Sequence, residues 1–305
     1  MKVLVFTEKP FAPAAVKAIE SAIKGSGNEL KLVEGGSRAD LLEAVKDVAG
    51  LIVRSDKIDG EVMDAAPELK VIVRAGAGYD NIDLAAATAH GICVMNTPGQ
   101  NSNAVAELVF GMTVMMCRNQ YNGKSGSELK EKSLGIYAFG QVGRNVARIA
   151  KGFGMKIEAL DTFVPDDVIE KEGVTAVHTP EELFSRNQFV SLHIPATPAT
   201  KKSIGYELTM KMPQGGVLIN TARKEIIDEE GLIRALEERP DLKYISDIKP
   251  DAAEEFEQKY GARVFFTPKK MGAQTAEANY NAGVAAAEQV NAYLKDGWNK
   301  FQVNK

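Results

Sequence analysis

The chain has 305 residues, enough for about two domains that each bury a core. Its 37 Lys and Arg nearly balance its 41 Asp and Glu, for a formal net charge of −4, so nothing electrostatic recommends nucleic acid or a membrane surface as a partner. No apolar run approaches the roughly 20 residues of a membrane span. Cys93 and Cys117 lie in apolar surroundings without metal-ligand spacing, as buried thiols of a reducing compartment would. A cytoplasmic protein without a metal is expected.

Residues 2–6 read as a strand rather than a leader, and 14–23 as an amphipathic helix. Strands at 30–33, 51–54 and 71–74 follow, with helices at 41–48 and 60–66. A short helix at 83–89 and a strand at 92–95 lead to Asn96-Thr97-Pro98. Strands alternating with helices imply a parallel sheet covered on both faces, with its ligand face beyond the carboxyl ends of the strands. Arg54-Ser55, the loop Arg74 to Asn81 and the stretch from Asn96 onward all gather there. In that loop Gly76, Ala77 and Gly78 either present bare N–H groups to a carboxylate or make an ordinary tight turn. Arg54, Lys57 and Arg74 at strand ends suit a doubly charged substrate group, although Lys57 alone reads equally as a solvated loop residue.

The next helix, 103–118, is apolar nearly all round and is therefore buried or a subunit interface. A polar connection, 120–132, joins it to LGIYAFGQVGRNVARIAKGFGMKIEALD, residues 134–161. This is a β-turn-α-β unit. Gly140 lets the backbone approach a ligand, Gly143 lets the helix pack closely on the strand, and the N–H groups at the helix start face a pyrophosphate. Asp161 ends the second strand, where an acid hydrogen-bonds the adenosine ribose and repels the 2′-phosphate of NADP, so NAD is the expected cofactor. One departure stands out: Ala138 occupies the first glycine position of G-x-G-x-x-G. Strands at 175–178, 189–193, 216–220, 243–247 and 263–267 follow, with helices at 180–186 and 229–238 and a closing helix at 275–294. From Leu134 the chain thus supplies the strands of a full dinucleotide-binding sheet. The first hundred residues form a second, smaller sheet domain, to which the last helix returns.

A nicotinamide-dependent reaction needs a group that moves the hydroxyl proton and a cation that binds and polarises the carbonyl. Only three histidines are present. His90 reads as a surface turn residue, while His178 and His193 end strands; His193 touches the nicotinamide side or is structural. Arg223 follows a buried strand directly and suits a carboxylate and carbonyl clamp. Lys269 and Lys270 come just after the strand at 263–267.

Five segments, RAGAGYDNIDLAAATAHGICVMNTPGQNSNAVAEL, GSELKEKSLGIYAFGQVGR, SLHIPATPATKKSIG, LINTARKEIIDEEGLIRAL and FFTPKKMGAQTAEAN, resemble the D-isomer-specific 2-hydroxyacid dehydrogenases over nearly the whole chain. The resemblance implies an α/β architecture of two doubly wound parallel-sheet domains: a Rossmann NAD-binding domain at 99–280 and a smaller flavodoxin-like substrate domain at 1–98 and 281–305. It is strongest to short members of the family that act on a phosphorylated 2-hydroxy acid, and it implies a homodimer formed through the NAD domain and the apolar helix. Carried over, Gly140, Gln141, Val142 and Gly143 hold the pyrophosphate and Asp161 the ribose. His193, Pro195, Thr221, Ala222, Arg223, Asp247 and Gly272 complete the cofactor set. Arg54, Ser55, Lys57, Arg74, Gly76, Ala77, Gly78 and Asn101 meet the substrate, and Arg223 is the catalytic arginine. The family's histidine is absent. Counting back from Gly272 and Thr275 puts Lys270 in its place, with Lys269 the competing choice because it follows Pro268 directly. The histidine's glutamate partner is absent too: Ala252 stands there, with Asp251, Glu254 and Glu255 nearby. A reductase of glyoxylate or hydroxypyruvate, which needs no phosphate site, and a catalytically inactive protein that binds NAD(H) and a partner are the rival readings.

Overall fold

The computed structural model describes residues 1–304, and its contacts divide the chain into two compact units, Met1–Asn101 with Gln274 onward, and Ser102–Ala273. The first unit begins with β1 (Lys2–Thr7), α1 (Pro13–Gly25), β2 (Glu29–Glu34), α2 (Arg38–Ala44), β3 (Gly50–Val53), α3 (Gly60–Asp64), β4 (Val71–Arg74), α4 (Leu84–Ala89) and β5 (Cys93–Asn96). Its sheet has the order β2-β1-β3-β4-β5 with every pair parallel, the flavodoxin-like doubly wound arrangement. β1, β3 and β4 are runs of Val, Ile and Leu buried on both faces, which is why they read as continuous apolar stretches rather than alternating ones. α2 starts earlier than the expected 41–48. Ser37 and Asp40 form a capping box that fixes its first turn and satisfies two backbone donors.

The second unit contains α5 (Ser102–Cys117), β6 (Ser133–Tyr137), α6 (Gln141–Gly152), β7 (Lys156–Leu160), α7 (Asp166–Lys171), β8 (Thr175–Ala176), α8 (Pro180–Arg186), β9 (Phe189–Leu192), α9 (Tyr206–Thr209), β10 (Val217–Asn220), α10 (Glu229–Glu238), β11 (Lys243–Ser246), α11 (Ala253–Tyr260) and β12 (Val264–Phe266). Its parallel sheet runs β12-β11-β10-β9-β6-β7-β8, seven strands, each at or within a residue or two of a strand expected from the sequence, with β12 at one edge and β8 at the other. The order reverses between β6 and β9, and such a switch point opens a crevice at the strands' carboxyl ends. α5 lies along α6 and buries Ala106, Val109, Phe110, Met112 and Met116 there and beneath it, with the Phe110 and Phe153 rings stacked 5.0 Å apart. α11 was missing from the sequence reading. Only Ala253, Phe256 and Tyr260 mark its buried face, and its entry is organised by the distant Glu229, whose carboxylate accepts from the Asp251 and Ala252 amides.

The last element, α12 (Ala276–Asp296), belongs to the first unit and packs on α1 and over β3 and β4. Thr275 caps it, its side chain accepting from the Ala278 amide at 3.1 Å. The chain therefore parts between 273 and 274 rather than at the expected 280/281, which falls inside this continuous hydrogen-bonded helix. The other break likewise falls at 101/102, where α5 begins, rather than at 98/99.

Candidate active site

At the switch point, β6 turns into α6 through Ala138, Phe139 and Gly140. Ala138 sits at φ +82°, in the left-handed region that favours glycine, and its amide donates to Leu160 O at 2.8 Å. At Gly143 any Cβ would overlap the Ala138 carbonyl oxygen and press on the Ile136 side chain at 3.1 Å, so helix and strand approach this closely only through glycine. Gly140 is the N-cap of α6 and brings no side chain to its first turn, where Gly140 and Gln141 are exposed and Val142 is half-buried. The amide donors of that turn face outward at the positive end of the helix. Asp161 is fixed just beyond β7: one carboxylate oxygen accepts from Phe139 N at 2.7 Å, the other from Phe163 N at 2.7 Å and Val164 N at 3.1 Å. A carboxylate has about four acceptor positions, so this one stays able to accept again. A bare glycine turn, an uncapped helix start and an oriented carboxylate together suit the pyrophosphate and ribose of a dinucleotide.

A second group of residues lies where β10, β11 and β12 end. Thr221 and Ala222 are buried, and the Asn220 side chain shapes the turn by donating to Arg223 O at 2.9 Å and accepting from Ala222 N at 3.0 Å. Arg223 Nη1 donates to Ala222 O at 2.9 Å, and Lys270 Nζ donates to that same oxygen at 3.4 Å. Two cations thus converge on one carbonyl. Beside them Asp247, wholly buried, accepts from Gly272 N at 2.8 Å through Oδ2. A Cβ at Gly272 would come within 2.6 Å of that oxygen, so the approach requires glycine. Burial pushes the Asp247 carboxyl above its ordinary range, against the Gly272 amide and the Lys270 charge. Asp247 Oδ1 and Thr221 Oγ1 are buried without a hydrogen-bond partner. Such orphaned atoms are costly unless a ligand completes them, and an acceptor beside a hydroxyl suits a carboxamide.

The acids near the expected glutamate position have other work. Asp251 bonds Lys224 at 2.6 Å, Glu255 bonds Lys259 at 2.8 Å, and Glu254 is exposed. Lys269 is exposed, and its carbonyl accepts from Thr267 Oγ1 at 2.8 Å. His90 caps α4, with one ring nitrogen on Ala86 O and the other 2.8 Å from Asp64; the Ala86 carbonyl first and the Asp64 carboxylate second hold its pKa above the usual value. His178 is exposed near Asp166. His193 meets Ser191 Oγ at 2.9 Å, and burial drives its pKa down to about 3. A ring that stays neutral at physiological pH is a poor proton carrier. Pro195 is exposed, its carbonyl accepting from Thr200 Oγ1.

Within the first unit, Arg54 and Arg74 are joined: Arg74 Nε donates to Arg54 O at 2.9 Å. The Arg74 guanidinium lies where a Cβ on Gly76 would be, and Gly76 sits at φ +152°, so only glycine fits. Arg54 is already engaged, donating to Lys9 O and Pro10 O at 3.0 Å and to Asn279 Oδ1 at 2.6 Å, and lying 5.0 Å from the Phe11 ring centroid. No local sequence signal announces these bonds, because their partners are 44, 45 and 225 positions away. Lys57 is 81% exposed and 3.4 Å from Asp59. Ser55 and Ala77 are exposed; Gly78 and Asn101 are half-buried.

Residues 3–304 match the family model described as D-isomer specific 2-hydroxyacid dehydrogenase, catalytic domain. The chain is 36% identical to a D-3-phosphoglycerate dehydrogenase of Methanocaldococcus jannaschii over 96% of its own length and 58% of that protein's. It is 35% identical to a hydroxypyruvate reductase of Thermotoga maritima, covering 82% of this chain and 86% of that one. Among solved structures, the NAD+-bound 3-phosphoglycerate dehydrogenase of Entamoeba histolytica is 50% identical, with a TM-score of 0.91 over 100% of this chain and 99% of that one. The chain spans only about half the length of the first three phosphoglycerate dehydrogenases it matches, 58%, 49% and 45%. Fold, motif positions and family model agree: the chain belongs to the D-isomer-specific 2-hydroxyacid dehydrogenases.

Proposed function

We propose that this protein oxidises 3-phospho-D-glycerate to 3-phosphohydroxypyruvate with NAD, a reaction that leads toward serine. The observation carrying the proposal is the convergence of Arg223 Nη1 and Lys270 Nζ on Ala222 O, beside buried Asp247. NAD, when bound, supplies the hydride acceptor. The first turn of α6 holds its pyrophosphate and Asp161 its ribose, while Thr221 and Asp247 offer unfilled hydrogen-bonding atoms to its carboxamide. Asp161 would repel a 2′-phosphate, which favours NAD over NADP. Arg223 binds and polarises the oxygen of the 2-hydroxy acid. Lys270 in its neutral form takes the hydroxyl proton at Nζ; in reduction its ammonium returns the proton. Arg223 beside it disfavours a second positive charge and Asp247 favours one; a histidine's glutamate partner would favour it further, so a lysine base gains from having no second acid.

Two cations joined at Arg54 and Arg74 favour a phosphorylated acid, whereas Lys57, three residues beyond Arg54, is paired with Asp59. One observation supports the second reading, a reductase of an unphosphorylated 2-oxo acid: three donor positions of Arg54 are already taken by Lys9, Pro10 and Asn279. We also assign the protein as a homodimer built on the second unit, because Val105, Leu108, Val114 and Met115 of apolar α5 stay partly exposed. Among the described residues no helix is long and apolar enough to cross a membrane.

The deciding experiment compares NADH formation from phosphoglycerate, glycerate and lactate in the native protein, Lys270→Ala and Lys269→Ala, with NAD binding measured separately. Lys270→Ala should lower kcat by about 100-fold or more, the scale of general acid–base catalysis, and leave NAD binding intact; Lys269→Ala should not. A near-normal kcat in Lys270→Ala would remove it from the mechanism. NAD binding without turnover on any acid would leave a non-catalytic binding protein.

A further inference from the structure

The loop Gly76-Ala77-Gly78 leaves two consecutive amides bare. Gly76 N is taken, donating to Arg74 O at 2.9 Å, but Ala77 N and Gly78 N donate to no atom among the described residues. The carbonyls of the same two peptide groups are both held, and from one side. Thr97 N donates to Gly76 O at 3.0 Å, and Asn96 Nδ2 donates to Ala77 O at 2.6 Å. A trans peptide is planar and points its N–H opposite to its C=O. Fixing Gly76 O therefore aims Ala77 N–H, and fixing Ala77 O aims Gly78 N–H, each away from the end of β5.

The support behind these bonds is fixed. Asn96 is the last residue of β5, in register with Arg74 at the end of β4. The tail after α12 closes the outer edge of β5: Asn304 Oδ1 accepts from Val94 N at 2.7 Å, its Nδ2 donates to Ile92 O at 2.8 Å, and Val303 N donates to Val94 O at 2.8 Å. The two anchors of the loop differ in kind. Thr97 acts through its backbone, its own hydroxyl being buried without a partner. Asn96 acts through its side chain, and the peptide it holds precedes Gly78, which lacks the Cβ that would resist that peptide turning over. A turned peptide would present the Ala77 carbonyl in place of the Gly78 N–H. On the 2-hydroxy-acid reading proposed above, on which this inference rests, the bare amides of this loop meet the anionic acid. We infer that Asn96 is a positioning residue: it holds the Ala77–Gly78 peptide so that an N–H, and not a carbonyl, faces the substrate carboxylate.

The test uses the full chain with NAD and phosphoglycerate, glycerate or lactate, and compares the native protein with Asn96→Ala and Asn96→Asp. Steady-state kinetics give KM and kcat, calorimetry gives the affinity for NADH, and thermal melts check each fold. Asn96→Ala should raise KM for the acid that the native protein oxidises by about tenfold or more, the loss of one hydrogen bond to a charged group. Its kcat and NADH affinity should stay near the native values. That variant adds no charge, so repulsion of the substrate does not enter. Asn96→Asp keeps the shape but accepts where Asn96 donates, so it should draw the Gly78 N–H to itself and raise KM further. An unchanged KM in both variants would overturn the assignment while the 2-hydroxy-acid reading stands. So would a fall of kcat, NADH affinity and melting temperature together, the mark of a disturbed fold rather than of a misaimed amide. If the native protein oxidises none of the three acids, the proposed function fails and this inference falls with it.

Discussion

Ala138 carries an unusual conformational burden. It replaces the first glycine of the turn yet holds φ at +82°, fixed by its bond to Leu160 O. A left-handed conformation costs an L-residue about 1–2 kcal/mol, and a glycine there would lose about 0.5–1 kcal/mol of extra chain entropy. Ala138→Gly should therefore stabilise the protein by about 0.5–1 kcal/mol, read as a rise in the denaturation midpoint; a fall would mean that the strain is relieved elsewhere. The sequence shows the substitution itself, and the conformation it must adopt comes from the turn. His193 makes a separate point. Burial takes its pKa from 6.5 down to about 3, so between those values the unfolded chain binds more protons than the folded one. Its contribution to stability is complete above about 6.5 and is lost as the pH falls toward about 3. His193→Gln should flatten the acid limb of the stability curve, with a ceiling of about 1.4 kcal/mol per pH unit. Chemical denaturation at several pH values tests this, and an unchanged slope would show that the ring is accessible to protons.

At the scale of elements, most strands and helices were legible because a buried parallel strand writes itself as a short run of Val, Ile and Leu, and an amphipathic helix as a 3.6-residue rhythm. β4, α8 and α10 fall where the sequence places them. α2 and α11 shifted or escaped because their starts depend on hydrogen bonds, from a capping box in one and from distant Glu229 in the other. Arg54 joins elements too. Its guanidinium holds the loop after β1 through two carbonyls and the first turn of α12 through Asn279. Charge-assisted bonds contribute about 1.5–3 kcal/mol each when a partner would be left buried. Arg54→Ala should therefore raise KM for phosphoglycerate by about tenfold and also lower the melting temperature, since about 1 kcal/mol moves a domain of this size by several degrees. Lys57→Ala, 81% exposed and free of such loop contacts, should leave the melting temperature in place. Equal thermal effects of the two variants would refute the clamp.

For the whole molecule, the α/β class, two doubly wound sheets and the family were all readable from 305 letters. The order of strands and helices and the five motifs are local in sequence, and local patterning decides which segments become strands and which helices. The glycine turn and Asp161 were legible for the same reason: the β-turn-α-β unit that joins them is contiguous. What the sequence could not show is which distant groups share an atom. That Arg223 and Lys270 meet on Ala222 O, and that Asp247 Oδ1 stays without a partner, follows from β10, β11 and β12 lying side by side. The three amides on Asp161 and the carbonyls on Arg54 were likewise set by the fold. Periodicity and propensity act over a turn or a strand, so they determined the elements; hydrogen bonds between residues far apart in the chain exist only once the strand order has brought them together, and that was decided by the tertiary structure.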